Sequence, residues 1–367
     1  MSNDVSKLDS ALSVDVNNNN NEAWRWYSPL KEPFRVTGLP WLKQDGVYRR
    51  LPLKPAYPIR SEVDRLANFT AGVQIHFQTD SPKLSVRVVL ADKANMYQMP
   101  ATGQCGVDCY IRSHGEQKFV NVTCYEPALS EYEAILFESF GDQMKEITLN
   151  LPLYMGVKEM WIGIDPSASV AVSPGFVSDK RVLIYGTSIT HGACASRPGM
   201  AYPNILSRMF PLEFVNLGFS GNAQGEPELA QIISEIPDPA LLVLDYEGNT
   251  PSTERLRETL PEFIRIFRSR YSEVPILVIS QIRLAKEAFD VHMSRVREER
   301  KQIQQETVER LRQSGDHNIH FFNGEEMLGL EYGECTVDGI HPSDLGYKRI
   351  SDALKPLLEK LLLPYLK

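Results

Sequence analysis

Two textures of hydrophobic patterning divide the chain. From Trp24 to about Phe176, short alternating or apolar runs stand between glycines and prolines: Gly72 to Phe77, Leu84 to Leu90, Val107 to Ile111, Phe119 to Cys124 and Glu146 to Leu151. This is the spacing of strands joined by turns, and no helix-period stretch of a dozen residues interrupts it. The pattern predicts a β-sandwich. Asp165-Pro166 to Pro174-Gly175 reads as the exit linker.

Beyond the linker the texture changes to strand followed by helix. Arg181 to Tyr185, Glu213 to Phe219, Ala240 to Tyr246, Pro275 to Ile282 and Asn318 to Phe322 read as buried strands. Between and after them, Ala201 to Phe210, Glu226 to Ile236, Ser252 to Tyr271, Asp290 to Ser314 and Ser343 to Leu362 carry apolar residues at three-and-four spacing. Repeated strand-helix units imply an α/β fold, a doubly wound parallel sheet covered on both faces. Ahead of both units, the Asn17 to Asn21 tract has nothing to bury. The expected division is a flexible tail over 1–23, a β-sandwich domain over 24–176 and an α/β domain over 177–367.

Composition narrows the functions available. At 367 residues with 43% hydrophobic and 23% charged, the chain can fill more than one core, at roughly 150 residues per domain. Its net charge of −8 offers no global basic field for nucleic acid. No run approaches the ~20 apolar residues of a membrane span, and no leader pattern opens the chain, so it reads as cytoplasmic without membrane insertion. The five cysteines form an odd set with no CxxC pair, which fits free thiols better than a disulfide framework or a zinc site.

In open α/β sheets ligands sit beyond the carboxyl ends of the strands, and four segments fall there. Gly186-Thr187-Ser188-Ile189-Thr190 follows the first predicted strand, where Ser188 can project from the next turn. Asp338-Gly339-Ile340-His341-Pro342 can bring a carboxylate to an imidazole, as a histidine acting as base toward a serine requires. Asn216 to Asn222 and Asp245 to Thr250 supply glycine amides and the Asn249 side chain, donors of the kind that bind an oxyanion. Each segment by itself is an ordinary cap or turn.

Together, in this order, the four resemble the SGNH (GDSL-like) hydrolase superfamily. Ser188 in GTSI matches the nucleophile block, Gly221 in SGN the second, Asn249 in EGNT the third, and Asp338 with His341 in DGIHP the fourth. Thr187, Ile189 and Thr250 depart from the usual residues of those blocks. Gly106-Val107-Asp108-Cys109-Tyr110 resembles the GxDLY motif of a small domain found ahead of bacterial esterases, and GTSITHGACASRPGMAYP resembles the extended first block of that subgroup. The resemblance implies a two-domain bacterial esterase, with a jelly-roll-like sandwich preceding a flavodoxin-like five-stranded sheet.

It also implies a mechanism: His341 deprotonates Ser188, Asp338 holds His341, and the Ser188 and Gly221 amides with the Asn249 side chain bind the oxyanion, without metal or cofactor. The expected substrate is a short-chain, most often acetyl, ester on a carbohydrate or small metabolite. The alternatives are a lipase-like or phospholipid acetyl esterase, and a non-catalytic carbohydrate-binding relative. Thr187 and His191 are expected in the substrate cleft. Cys194 reads as cleft wall or core, and His76, His292, His317 and His320 as structural.

Overall fold

The computed structural model describes residues 23–366, so the tail expected over 1–23 lies, but for Ala23, outside the described residues. The front unit contains β1 (Arg25–Tyr27), β2 (Arg35–Thr37), β3 (Gln74–Thr79), β4 (Leu84–Leu90), β5 (Asp108–Ser113), β6 (Glu116–Val122), β7 (Glu131–Phe137), β8 (Lys145–Asn150), β9 (Val157–Ile164) and β10 (Val170–Ala171). They form two sheets, ordered β1-β9-β4-β7 and β10-β3-β8-β5-β6 with β2 on β3. Every pairing is antiparallel. Alternate residues point inward, so Ile75 and Phe77, Val86 and Val88, Ile147 and Leu149, and Ile162 and Ile164 fill one core between the sheets. The expected exit linker differs, because it contributes β10 to the edge beside β3.

Behind it, β11 (Arg181–Gly186), β12 (Glu213–Gly218), β13 (Pro239–Asp245), β14 (Ile276–Ile279) and β15 (Ile319–Phe322) pair in parallel in the order β12-β11-β13-β14-β15. Val182 and Ile184 face one core, shared with α5 (Tyr202–Met209) and α9 (Asp344–Leu362). Leu183 and Tyr185 face the other, shared with α6 (Pro227–Ser234), α7 (Thr253–Arg270) and α8 (Val291–Gln313). The strand order reverses between β11 and β13, which opens a crevice at their carboxyl ends. No helix among the described residues is long and apolar enough to cross a membrane.

The cores of the two units are continuous. Leu51, Val63, Leu66 and Ala67 of the front unit pack into one face of the parallel sheet, and Ala71, Met99, Leu153 and Tyr154 into the other. Asp108 is the polar counterpart. Its buried carboxylate accepts from Asn150 Nδ2 at 2.7 Å within the sandwich and from the Gly199 amide at 2.6 Å across the boundary. Arg197 stands 3.8 Å from the same carboxylate and donates to Tyr110 Oη at 3.1 Å. The Gly106 to Tyr110 motif therefore grips the Arg197 to Met200 segment that extends the serine block.

Asp108→Ala strands two buried donors at about 1–3 kcal/mol each. A loss of about 2–4 kcal/mol in denaturant unfolding is expected; a variant as stable as the wild type would show that the carboxylate is not the latch.

Candidate active site

Ser188 opens the short helix α4 (Ser188–His191) directly after β11, and Thr187 caps it, its Oγ1 accepting from the Ile189 amide at 3.2 Å. The Ser188 hydroxyl lies 2.9 Å from His341 Nε2, and His341 Nδ1 lies 2.7 Å from Asp338 Oδ2. Asp338 Oδ1 accepts from the His341 and Ile340 amides at 2.8 and 3.0 Å. Burial favours the neutral acid, but these amides and the imidazole outweigh it and hold the Asp338 carboxyl below its usual range. An ionised carboxylate only accepts, so Nδ1 carries the proton and Nε2 offers its lone pair to the serine.

Asn249 ends the one-turn segment Glu247–Asn249 after β13 and lines the same cavity as Ser188. Its Oδ1 is buried without a partner, which leaves Nδ2 as the accessible end of the amide. Gly221 sits at φ +69 in a turn closed by the Asn222 amide donating to Phe219 O at 2.8 Å, a conformation that suits glycine. Tyr154 pins that turn beside the serine: its hydroxyl is 3.1 Å from Ser220 Oγ and 3.4 Å from the Ser188 carbonyl.

His191 corrects the sequence expectation. It does not reach the cleft; it is fully buried, its Nε2 donates to Leu153 O at 2.8 Å, and its Nδ1 accepts from the Ser220 amide at 3.4 Å. Stacked on Tyr154 at 4.2 Å, it is held neutral because burial, and then the Arg50 charge, push its pKa well down. The imidazole ties the front unit to the Ser220-Gly221 turn.

Cys194 is buried and does not line the cavity at Ser188; its sulfur shares a 4.8 Å cluster with Asp338 and His341, but burial pushes the thiol up to about 12. A protonated thiol and an imidazole whose Nδ1 is engaged by Asp338 are poor metal ligands.

Sequence reasoning missed the supports behind these groups. Arg50 is completely buried and donates to four carbonyls, Leu66 and Phe69 in the front unit and Asn216 and Gly218 on β12. Desolvation pulls its pKa down to about 9, and nothing in the local Arg49-Arg50 dipeptide signals such a role. Asp245 accepts from Thr190 Oγ1 and Tyr202 Oη, both at 2.9 Å, and burial raises it to about 6.

The cavity beside Ser188 has a volume of about 60 Å³. Thr187 lines it, together with Asp245, and its apolar walls include Ile189, Ile279, Ile282 and Met327. At about 10–15 Å³ per water-sized group, it has room for about four such groups.

Fold and site together define an SGNH-type ester hydrolase. Two family models match, the N-terminus of Esterase_SGNH_hydro-type over residues 24–170 and the GDSL-like Lipase/Acylhydrolase family over residues 179–359. The chain belongs to the GDSL-like lipase/acylhydrolase family and carries the GxDLY-type N-terminus. It is similar to a Bacteroides ovatus protein described as a GDSL-like lipase, at 29% identity and a TM-score of 0.85, covering 93% of this chain and 98% of that one. The salicylyl-acyltransferase SsfX3 of a tetracycline biosynthetic pathway shares the fold at 20% identity and a TM-score of 0.75, covering 94% and 99%. A family two carbohydrate esterase from Cellvibrio japonicus shares it at 12% identity and a TM-score of 0.58, covering 94% and 99%. No curated protein sequence matches significantly.

The turn carrying Asn249 hangs from Glu247, whose buried Oε2 accepts from the Gln281 amide at 2.9 Å and from Gln304 Nε2, while Oε1 has no partner. Burial raises this carboxyl from 4.5 to about 7. A raised folded pKa means that the native state binds more protons, so stability falls as pH rises from about 4.5 to 7, by about 3 kcal/mol from this group. Glu247→Gln keeps the acceptor without the charge. Denaturant unfolding across this window should show a shallower decline than wild type; parallel curves would exclude Glu247 as its source.

Proposed function

We propose that this enzyme hydrolyses esters of short acyl groups, acetyl foremost, carried on hydroxyls of a carbohydrate or small metabolite. The observation that carries this reading is the Ser188–His341–Asp338 chain at 2.9 and 2.7 Å opening on a cavity of about 60 Å³. Such a cavity suits an acyl group of two to about four heavy atoms beyond the attacked carbon. The likeness to carbohydrate esterases concerns the fold, and the sugar alcohol is part of the proposal.

In the proposed cycle His341 Nε2 takes the proton of Ser188 as Oγ bonds to the ester carbonyl carbon, and Asp338 stabilises the imidazolium. Negative charge builds on the carbonyl oxygen, facing the Ser188 and Gly221 amides and Asn249 Nδ2. None of the three donates to a protein acceptor among the described residues, so they stand preorganised for a charge that appears only in the transition state. The imidazolium protonates the leaving alkoxide. Water then enters and gives a proton to His341 as its oxygen bonds to the acyl carbon, and His341 returns that proton to Ser188 Oγ as the carbon–Oγ bond breaks and the acid leaves.

Ser188→Ala should lower turnover by about 10³-fold or more with little change in melting temperature. On a nitrophenyl ester panel, kcat/KM should peak at acetyl to butyryl and fall at least 10-fold by octanoyl, since one excluded methylene alone is worth about 1–3 kcal/mol. Undiminished octanoyl turnover would exclude this cavity as the acyl site.

Asn249→Ala separates donor from turn-former. Removing a donor to the oxyanion should lower kcat about 10²- to 10³-fold with modest change in KM. Deleting an unpaired buried oxygen should leave the melting temperature level or higher. A destabilised variant with normal kcat would make Asn249 a turn residue only.

A further inference from the structure

A second cavity, of about 200 Å³, lies between the β3-β8-β5 face of the sandwich and the end of α5, with Arg35, His76, Arg112, Glu146, Phe176 and Arg208 in its lining. It is remote from Ser188. Phe176 precedes β11 and Arg208 precedes β12, so the cavity borders the amino ends of the parallel strands. Ser188 follows the carboxyl end of β11, whose six residues at ~3.3 Å each separate the two places by about 20 Å.

Charge in this cavity is unbalanced. Arg112 Nε is paired with Glu146 Oε1 at 3.0 Å. Arg35 uses Nη2 on the Pro174 carbonyl at 3.0 Å and lies over the Phe176 ring, and Arg208 uses Nη1 on the Asn204 carbonyl at 3.0 Å and lies over Tyr110. Neither has a carboxylate within ion-pair distance among the described residues. Arg35 Nη1 and Arg208 Nε and Nη2 donate to no protein acceptor there, yet are not sealed from solvent. His76 adds no charge, because burial, and then Arg35 and Arg112, push its pKa down to about 3, and its ring nitrogens meet the Thr37 and Thr148 hydroxyls. Desolvation lowers both Arg35 and Arg208, outweighing the carboxylates that act on them from beyond ion-pair distance, Glu213 and Glu146 on Arg35 and Asp108 on Arg208. Arg208 also lines a wider neighbouring groove with Glu116, Arg197, Lys348 and Lys355, where Asp108, Asp352 and Glu359 face the three cations, so the unbalanced charge is that of the cavity itself.

We propose that this cavity is a second ligand site, separate from the ester-cleaving cleft, for a monosaccharide-sized molecule bearing a carboxylate or phosphate. Arg208 supplies the forked donor pair, Nε with Nη2, that such oxyanions accept, and Arg35 adds Nη1. The Phe176 ring offers a face for the apolar side of a sugar. The volume holds a dozen or more water-sized groups, at about 10–15 Å³ each, which is the size of a sugar acid or sugar phosphate.

Isothermal titration of the full chain at low ionic strength tests this with glucuronate, glucose 6-phosphate, glucose and inorganic phosphate. Glucuronate or glucose 6-phosphate should bind with a sub-millimolar Kd that weakens as salt is raised, the tighter of the two identifying the head group, and glucose should not bind detectably. Arg208→Gln should weaken the charged sugar at least 10-fold, and Arg35→Gln serves if that variant melts early. Unchanged affinity in both folded variants would overturn the site. So would glucose binding as tightly as the charged sugars, inorganic phosphate as tightly as glucose 6-phosphate, or no charged sugar bound at 10 mM, where about 90% occupancy is expected at a Kd of 1 mM. Competitive inhibition of ester hydrolysis by the same sugar would place it in the cleft and equally overturn it.

Discussion

The molecule depends on a cation buried without an anion. Arg50 is removed from water with no carboxylate beside it, a step that costs several kcal/mol. Four carbonyls offset that cost, two from each unit, at about 1.5–3 kcal/mol per charge-assisted bond. The four acceptors exist together only when the front unit is seated on β12. Assembly of the two units and burial of Arg50 are therefore one event, and the strand so clasped leads into the Ser220-Gly221 turn.

That clasp explains the state of the groups around the turn. Burial, and then the Arg50 charge, disfavour a proton on His191, and a neutral His191 that donates through Nε2 to Leu153 keeps Nδ1 free to accept from Ser220. Gly218 allows α4 to lie against β12, because a Cβ there would stand 2.3 Å from the His191 nitrogen. The serine and the Gly221 amide thus belong to neighbouring strands held at fixed spacing from behind, while Asp338 and His341 arrive from the far end of the chain. A donor that needs no rearrangement when charge develops is what electrostatic stabilisation requires.

Much of this was legible in the sequence, for definite reasons. Four of the five parallel strands, β11 to β14, are largely apolar runs buried on both faces, and β15 at the sheet edge is half-buried, so the expected runs fall within one residue of the strands except at the end of β14, which stops three residues before Ile282. The sandwich was read less completely. β7 and β9 carry Glu131, Glu133, Lys158 and Glu159 on their outer faces, and β1, β2 and β10 are too short for a period-two signal. Asp338 and His341 were legible because their three-residue spacing is a local fact. His191 was misplaced because its partners, Leu153 and Ser220, are distant in sequence, and burial is decided by what another segment places over it. Arg50 carried no signal for the same reason.

The GxDLY-like motif then acquires a physical meaning that its five residues could not give by themselves. Asp108 holds the Gly199 amide, and Tyr110 meets Arg197. Thr102 Oγ1 donates to the Ser196 carbonyl, and Ser196 in turn donates to Asp344 at the start of α9. Asp344 lies three residues beyond His341. A single polar thread therefore runs from the sandwich, through the extension of the serine block, to the helix that follows the histidine. Holding Ser188 and His341, 153 residues apart in the chain, at hydrogen-bond distance requires both of their flanks to be fixed to a common body. The sandwich is that body, and in this chain it is structurally part of the active site.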